Sequence, residues 1–182
     1  VPVLNLRFSA INVPFKVYRL RIVQAENPDY RRSVHSLTIA YHNQAGQEVT
    51  ATQAPRNGYA DFNIMANPLY VGQDEAALVN VYVNLRVIGP QDNQAKTGDQ
   101  LRFFLSTNQG FLAMAMRQQA RWYISGVSHG EIGGNIMVVR GTVPTFAADL
   151  QNNVDLANGQ VELYRFRVSA SEGTNLALKK LF

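Results

Sequence analysis

The chain has 182 residues, 46% of them hydrophobic and 16% charged, with a net charge of +4 and no cysteine. Without cysteine there is no disulfide, no thiolate nucleophile and no cysteine-ligated zinc, and no apolar run approaches the roughly 18 residues of a membrane span. Asn and Gln take the place of the missing charge: 16 Asn and 13 Gln stand beside 17 basic and 13 acidic residues. Such a surface makes neutral hydrogen bonds and carries little long-range field, which suits close protein contact. Arg outnumbers Lys by 13 to 4, and the planar guanidinium tolerates interfaces better than an ammonium. The positive charges are scattered, densest at Arg31-Arg32 and Lys179-Lys180, so there is no basic arm that would neutralise many phosphates. No Asn lies in an Asn-x-Ser/Thr acceptor, which disfavours a eukaryotic secreted ectodomain. The chain opens on Val with no signal-peptide pattern, as a trimmed chain or one cut from a precursor would.

Alternation with period two dominates the pass along the chain. Residues 3–8 form the first candidate strand. Tyr18, Leu20 and Ile22 then face one way, and Arg19 and Arg21 the other. Leu37, Ile39 and Tyr41 mark the next strand, followed by weaker candidates at 48–52 and 59–64. The clearest run is 79–87, where Val79, Val81, Val83, Leu85 and Val87 alternate with polar residues, the pattern of a half-buried antiparallel strand. Candidates at 101–105, 120–125 and 135–140 follow, and Tyr164, Phe166 and Val168 alternate with Arg165 and Arg167. Turn signals separate these runs: Asn27-Pro28-Asp29, Gln44-Ala45-Gly46, Arg56-Asn57-Gly58, Gly89-Pro90-Gln91-Asp92, Gly133-Gly134 and Asn158-Gly159.

Helix is scarce. Residues 111–119 are rich in good helix formers yet also alternate, so helix and strand both fit. Segments 72–78, 145–151 and 171–180 each suit a short helix. The expected fold is all-β, an antiparallel β-sandwich with a few short helices, spanning 1–182 as one domain. One internal echo exists, since residues 17–22 resemble residues 163–168.

No constellation for catalysis has a specific spacing. His35 and His42 flank a strand without a carboxylate at ligand spacing and read as structural histidines. Ser128-His129-Gly130-Glu131 places a base beside a carboxylate, but with Gly133 and Gly134 it reads more simply as a loop or hairpin connection. The glycines lack the Lys-Ser/Thr ending of a phosphate loop, and no Asp-x-Asp calcium loop occurs. No catalytic, metal-binding or cofactor-binding residue is therefore assigned, and no cofactor is expected. Arg19, Arg21, Arg165 and Arg167 are the candidate contacts to an acidic partner or an RNA backbone if their strands lie together; the plainer reading is a solvated strand face. Trp122 and Tyr123 are candidate interface anchors, with core packing as the alternative.

Residues 61–69 (Asp-Phe-Asn-Ile-Met-Ala-Asn-Pro-Leu), 78–87 (Leu-Val-Asn-Val-Tyr-Val-Asn-Leu-Arg-Val) and 98–105 (Gly-Asp-Gln-Leu-Arg-Phe-Phe-Leu) together resemble the late strands of jelly-roll capsid proteins from picorna-like icosahedral viruses. The resemblance covers about 50 residues. It implies a jelly-roll sandwich with a structural role in place of an enzymatic one. Such a chain is a polyprotein product that assembles in the host cytoplasm into the virion. The partners implied are copies of itself, sister capsid chains, weakly held viral RNA and a host receptor. The segment after Gly110 is too long for a simple tail and holds two or three further strands, so 110–182 is an alternative, additional β-rich portion. The competing reading is a carbohydrate- or protein-binding sandwich of lectin or adhesin type, using Trp122, Tyr123, Asp92 and Asn93. A third is a β-sandwich hydrolase built on His129 and Glu131.

Overall fold

Side chains that alternate in polarity must go to opposite faces of an extended backbone, and the chain follows that rule almost throughout. The computed structural model describes residues 2–25, 32–116, 121–125, 131–142, 144–149, 158–159 and 164–170. In chain order the strands begin with β1 (Leu4–Ser9), β2 (Phe15–Gln24), β3 (Val34–His42), β4 (Glu48–Gln53) and β5 (Tyr59–Asn63). They continue with β6 (Leu69–Val71), β7 (Ala76–Leu85), β8 (Gln100–Leu101), β9 (Phe103–Ser106) and β10 (Leu112–Met116). The last are β11 (Arg121–Ser125), β12 (Glu131–Gly133), β13 (Met137–Val138), β14 (Thr145–Asp149) and β15 (Arg165–Ser169). The chain is all-β, and the strand pairs within its sheets are antiparallel.

Two compact units result, Val1–Val139 and Arg140–Phe182. In the first, a four-stranded sheet runs in the order β1-β7-β3-β4. A second sheet runs β11-β10-β2-β9-β12, with β5 and β6 also paired to β2. β13 pairs β8 in a small separate ladder. Leu4 and Leu6 of β1, Leu37, Ile39 and Tyr41 of β3, and Val79 and Val81 of β7 belong to one buried cluster with residues of the other sheet. The latter are Val17, Leu20 and Ile22 of β2, Phe62 of β5, Leu69 and Val71 of β6, and Phe103 and Leu105 of β9. The two sheets thus share one core as the layers of a sandwich. Buried in it, the Tyr41 hydroxyl donates to the Asn67 carbonyl at 2.5 Å, and burial raises its pKa above the ordinary phenol value.

In the second unit β14 pairs β15, placing Phe146 opposite Val168 and Ala148 opposite Phe166. The intervening positions, among them Arg165 and Arg167, take the other face.

The short helices expected at 72–78 and 145–151 are corrected, and of the two readings that fitted 111–119 the described part takes strand: no described residue is helical. Gln73 and Asp74 form a turn that launches β7, with Asp74 at φ 58°. Leu112–Met116 is β10, because its alternation matches the edge of β2 and buries Ala113; tertiary pairing overrides helix propensity here. Thr145–Asp149 is β14 for the same reason. The helix expected at 171–180 lies outside the described residues. A smaller correction concerns β2. Val17, not Tyr18, shares the core with Leu20 and Ile22. Ala113 pairs with Val17 and Leu112 with Arg19, so Tyr18 is an extra residue, a β-bulge that resets the inward face by one position.

Two buried polar groups differ in how well they are matched. The Asp99 carboxylate accepts a hydrogen bond from the Ser33 hydroxyl and another from the Lys96 N–H at 3.2 Å. The Ser33 carbonyl takes the Arg86 N–H at 2.9 Å and the Asp99 carbonyl the Val139 N–H at 2.8 Å, which ties the entry of β3 to the exit of β7 and to the loop before β8. Gln24, only 3% exposed, has neither amide atom hydrogen-bonded. Asp99→Ala is expected to lower stability by about 2 kcal/mol, since it strands a buried hydroxyl and an N–H. Gln24→Leu is expected to raise it by about 1 kcal/mol by removing an unmatched amide from the core. Urea unfolding at constant m-value checks both signs.

Candidate functional site

The outer face of the four-stranded sheet follows from the registers. Asn5 stands opposite Asn80, Asn80 opposite Ala40, and Ala40 opposite Thr50, forming one row across all four strands. A second row joins Tyr82, Thr38 and Thr52. These rows are laced sideways: Thr38 and Thr52 share a hydroxyl–hydroxyl bond at 2.8 Å, and the Asn84 amide donates to Ser36 at 2.9 Å and to Thr38 at 3.2 Å. Neither row contains a charge. Charged side chains stand at the ends: Arg7 pairs with Leu78 and His42 with Glu48 in one end row, and exposed Arg86 follows β7 at the other end. A neutral, hydrogen-bonded centre with charge at the margin is the anatomy of a protein-contact surface.

Arg21 is used within the chain. It lies opposite Asp61 in the β2–β5 register, and its guanidinium grips that carboxylate by a fork, Nε to Oδ1 at 2.7 Å and Nη2 to Oδ2 at 2.8 Å. Its Nη1 reaches Gln109 Oε1 at 3.4 Å, and its Cζ sits 4.1 Å from the centre of the Tyr59 ring. Gly110, at φ 75°, closes the site, for a Cβ there would lie 2.6 Å from Arg21 Cβ. The hydrogen bond from Arg21 holds Asp61 below the ordinary carboxylate range, against the opposing pull of burial, while Asp61 raises Arg21. The acidic group Arg21 binds is thus Asp61. Neither Asp61 nor Gly110 stood out in the sequence, where no local spacing links them to Arg21; only the strand pairing brings them there.

Arg19 is exposed on β2 at register with Asn63. Arg165 and Arg167 lie on β15, whose described partner is β14, so the echoed strands do not share a sheet. Trp122 and Tyr123 lie on β11, opposite Ala115 and Met114; their side chains are outside the described part of the structure, as are Ser128, His129 and Gly130. Glu131 begins β12, at register with Ser106. His35 is exposed and lines a surface hollow of about 450 Å³ with Leu85, Arg86, Val87, Gln91, Asn93 and Gln94. Asp92 points into solvent, 3.9 Å from Lys96. Among the described residues no cluster of His, Asp and Glu has the geometry of a metal site, and no helix is long and apolar enough to cross a membrane.

No family model, curated protein or solved structure matches the chain.

The Arg21–Asp61 fork gives a pH test. Asp61 has a lowered pKa in the folded chain, so its stabilisation is present above the unfolded value of about 3.9 and is lost as pH falls through the lower folded value. Asp61→Asn is expected to cost about 1 kcal/mol at pH 7, because the fork is bidentate but over a third of Asp61 is solvated and screened. The gap between wild type and variant should close below about pH 4 in urea titrations.

Proposed function

We propose that this chain is a structural subunit of an icosahedral viral capsid, assembling with copies of itself or with sister chains. The observation that carries the reading is the neutral centre of the outer face of the four-stranded sheet, with charge at its ends, Arg7 and Glu48 at one and Arg86 at the other. A subunit that meets identical copies gains from a face whose polar groups are already satisfied laterally, because little must be desolvated unpaired when two such faces meet. The resemblance of 61–69, 78–87 and 98–105 to late jelly-roll strands supports it. Those segments contain parts of β5, β7 and β9, with β7 in one sheet and β5 and β9 in the other, so they contribute to both layers of the sandwich. The jelly-roll connectivity and the virion location belong to this proposal.

Assembly is tested by sedimentation and electron microscopy of the chain, alone and co-expressed with its neighbouring precursor segments. Rings or shells are the expected result; a monomer at about 100 μM with no particles from the precursor overturns it. A double change, Asn5→Lys with Asn80→Lys, plants charge in a neutral row of the outer face and is expected to weaken association by about tenfold or more, with an unaltered circular dichroism spectrum.

A second reading, a carbohydrate-binding module, is favoured by the hollow beside β7. There Arg86, Gln91, Asn93 and Gln94 supply polar groups around the exposed apolar Leu85 and Val87, the mix a sugar ring and its hydroxyls need. Titration with acidic and neutral oligosaccharides, followed by NMR at Val87, should give saturable shifts on this reading. No shift at millimolar sugar removes it.

A further inference from the structure

We propose that the free edge of β4 pairs with β4 of a second copy about a two-fold axis at Thr50, extending the four-stranded sheet into one continuous eight-stranded sheet. The inference deepens the assembly reading and rests on it.

The direction of each backbone group on β4 follows from its hairpin. The Asn43 N–H donates to the Gln47 carbonyl at 3.0 Å, which sets Asn43 and Gln47 at a bonded position of the ladder, although the Gln47 N–H turns to the Asn43 side chain at 3.1 Å. Antiparallel pairs alternate between bonded and non-bonded. With the register running from His42↔Glu48 to Leu37↔Gln53 without a shift, Val49, Ala51 and Gln53 therefore bond to β3. Glu48, Thr50 and Thr52 turn their N–H and C=O groups away from it. The short Thr38–Thr52 hydroxyl contact of 2.8 Å agrees, since side chains approach closest in non-bonded pairs. Among the described residues nothing pairs along that outer edge, and all three outward residues are exposed.

Soluble proteins blunt such an edge with Lys, Pro, a bulge or an inward charge. β4 has none of these. It is Glu-Val-Thr-Ala-Thr-Gln, regular over its length, with Glu48 as its one ionisable group.

Symmetry then selects the register. A two-fold normal to the sheet keeps both cores on the same side only if a residue stands opposite itself or opposite one of like parity. Centred on Thr50, the outward positions meet as Thr50↔Thr50 and Glu48↔Thr52, with about six backbone hydrogen bonds. The core-facing positions meet as Val49↔Ala51, and both already pack against the buried cluster. Glu48 faces a hydroxyl and never its own copy, so no like charges oppose. Thr–Thr pairs across strands are themselves favourable. The neutral rows of the outer face, which end on Thr50 and Thr52, continue without interruption into the second copy.

Because the chain lacks cysteine, Thr50→Cys creates its single thiol, and creates it on the proposed axis. Opposed Cα atoms of a bonded antiparallel pair lie about 5.5 Å apart, within the range a disulfide spans. Mild oxidation of Thr50→Cys should give a covalent dimer, whereas Asn5→Cys, on the opposite edge strand, should not. Thr50→Pro deletes an N–H directed away from β3. It should lower the dimerisation constant by about tenfold or more, leaving the far-ultraviolet spectrum of the wild type. If wild type associates but Thr50→Cys fails to cross-link beyond Asn5→Cys, the β4 edge is not the contact, and assembly proceeds through another surface. If wild type and Thr50→Cys both remain monomeric at several hundred micromolar, the edge pairing and the assembly reading fall together.

Discussion

The first unit depends on β2 being hydrogen-bonded along both edges for most of its ten residues. Phe15 pairs with Val71 of β6 and with Ala115 of β10; Ile22 pairs with Ala60 of β5 and with Leu105 of β9. Four strands thus take their position from one, two end to end on each side. Such a strand cannot slip in register, because a one-residue shift would expel Leu20 and Ile22 from the core at once. The bulge at Tyr18 is the place where the two halves are reconciled. It lets β10 and β9 follow the same edge while Val17 and Leu20, three residues apart, both face inward.

Anchoring at β2 also explains why the polar pair Arg21–Asp61 behaves as it does. Asp61 reaches Arg21 because β5 is fixed against β2 with those residues opposed. The Tyr59 ring then lies against the guanidinium, and the turn at Gly110 comes close to the Arg21 side chain. An arginine forked to one carboxylate and stacked on a ring has most of its donors committed. Arg19, two residues earlier on the same strand, stands opposite Asn63 and remains exposed. Identical residue types on one alternating face thus end in different chemistry, decided by what the neighbouring strand brings.

Period two made the strands legible in the sequence, and long-range pairing made the rest illegible. Val79 and Val81 are fully buried, as their alternation implies, but Leu85 and Val87 continue the same pattern into solvent. The reason is that β3 begins at Val34, opposite Leu85, so the rhythm outlasts the sheet that would bury it. Tyr18 was displaced by a bulge that no local signal announces. Segment 112–116 satisfied helix and strand equally until the edge of β2 decided it. The matching runs at 17–22 and 163–168 look alike because both alternate, yet one is the centre of a sheet and residues 165–168 of the other lie in a two-stranded ladder. Site residues were the least legible, since Asp61, Gly110 and the outward set of β4 acquire meaning only through register.

The shortage of charge, noticed first as composition, has a structural counterpart in where charge is absent. In a protein selected to stay solitary, low charge and an open edge are a hazardous combination, because like charges and lysines are the usual means of keeping sheet edges apart. Here the two occur on the same element. β4 is regular, neutral but for Glu48, and continuous with rows of amides and hydroxyls already bonded to one another. A surface of that kind has little to lose by desolvation and offers unspent backbone donors and acceptors along one side. The physical consequence is directional: contact is favoured in the plane of the sheet, where the backbone supplies the bonds. Across its outer face the side-chain groups are largely paired, and further contact there must come from shape and from burying area.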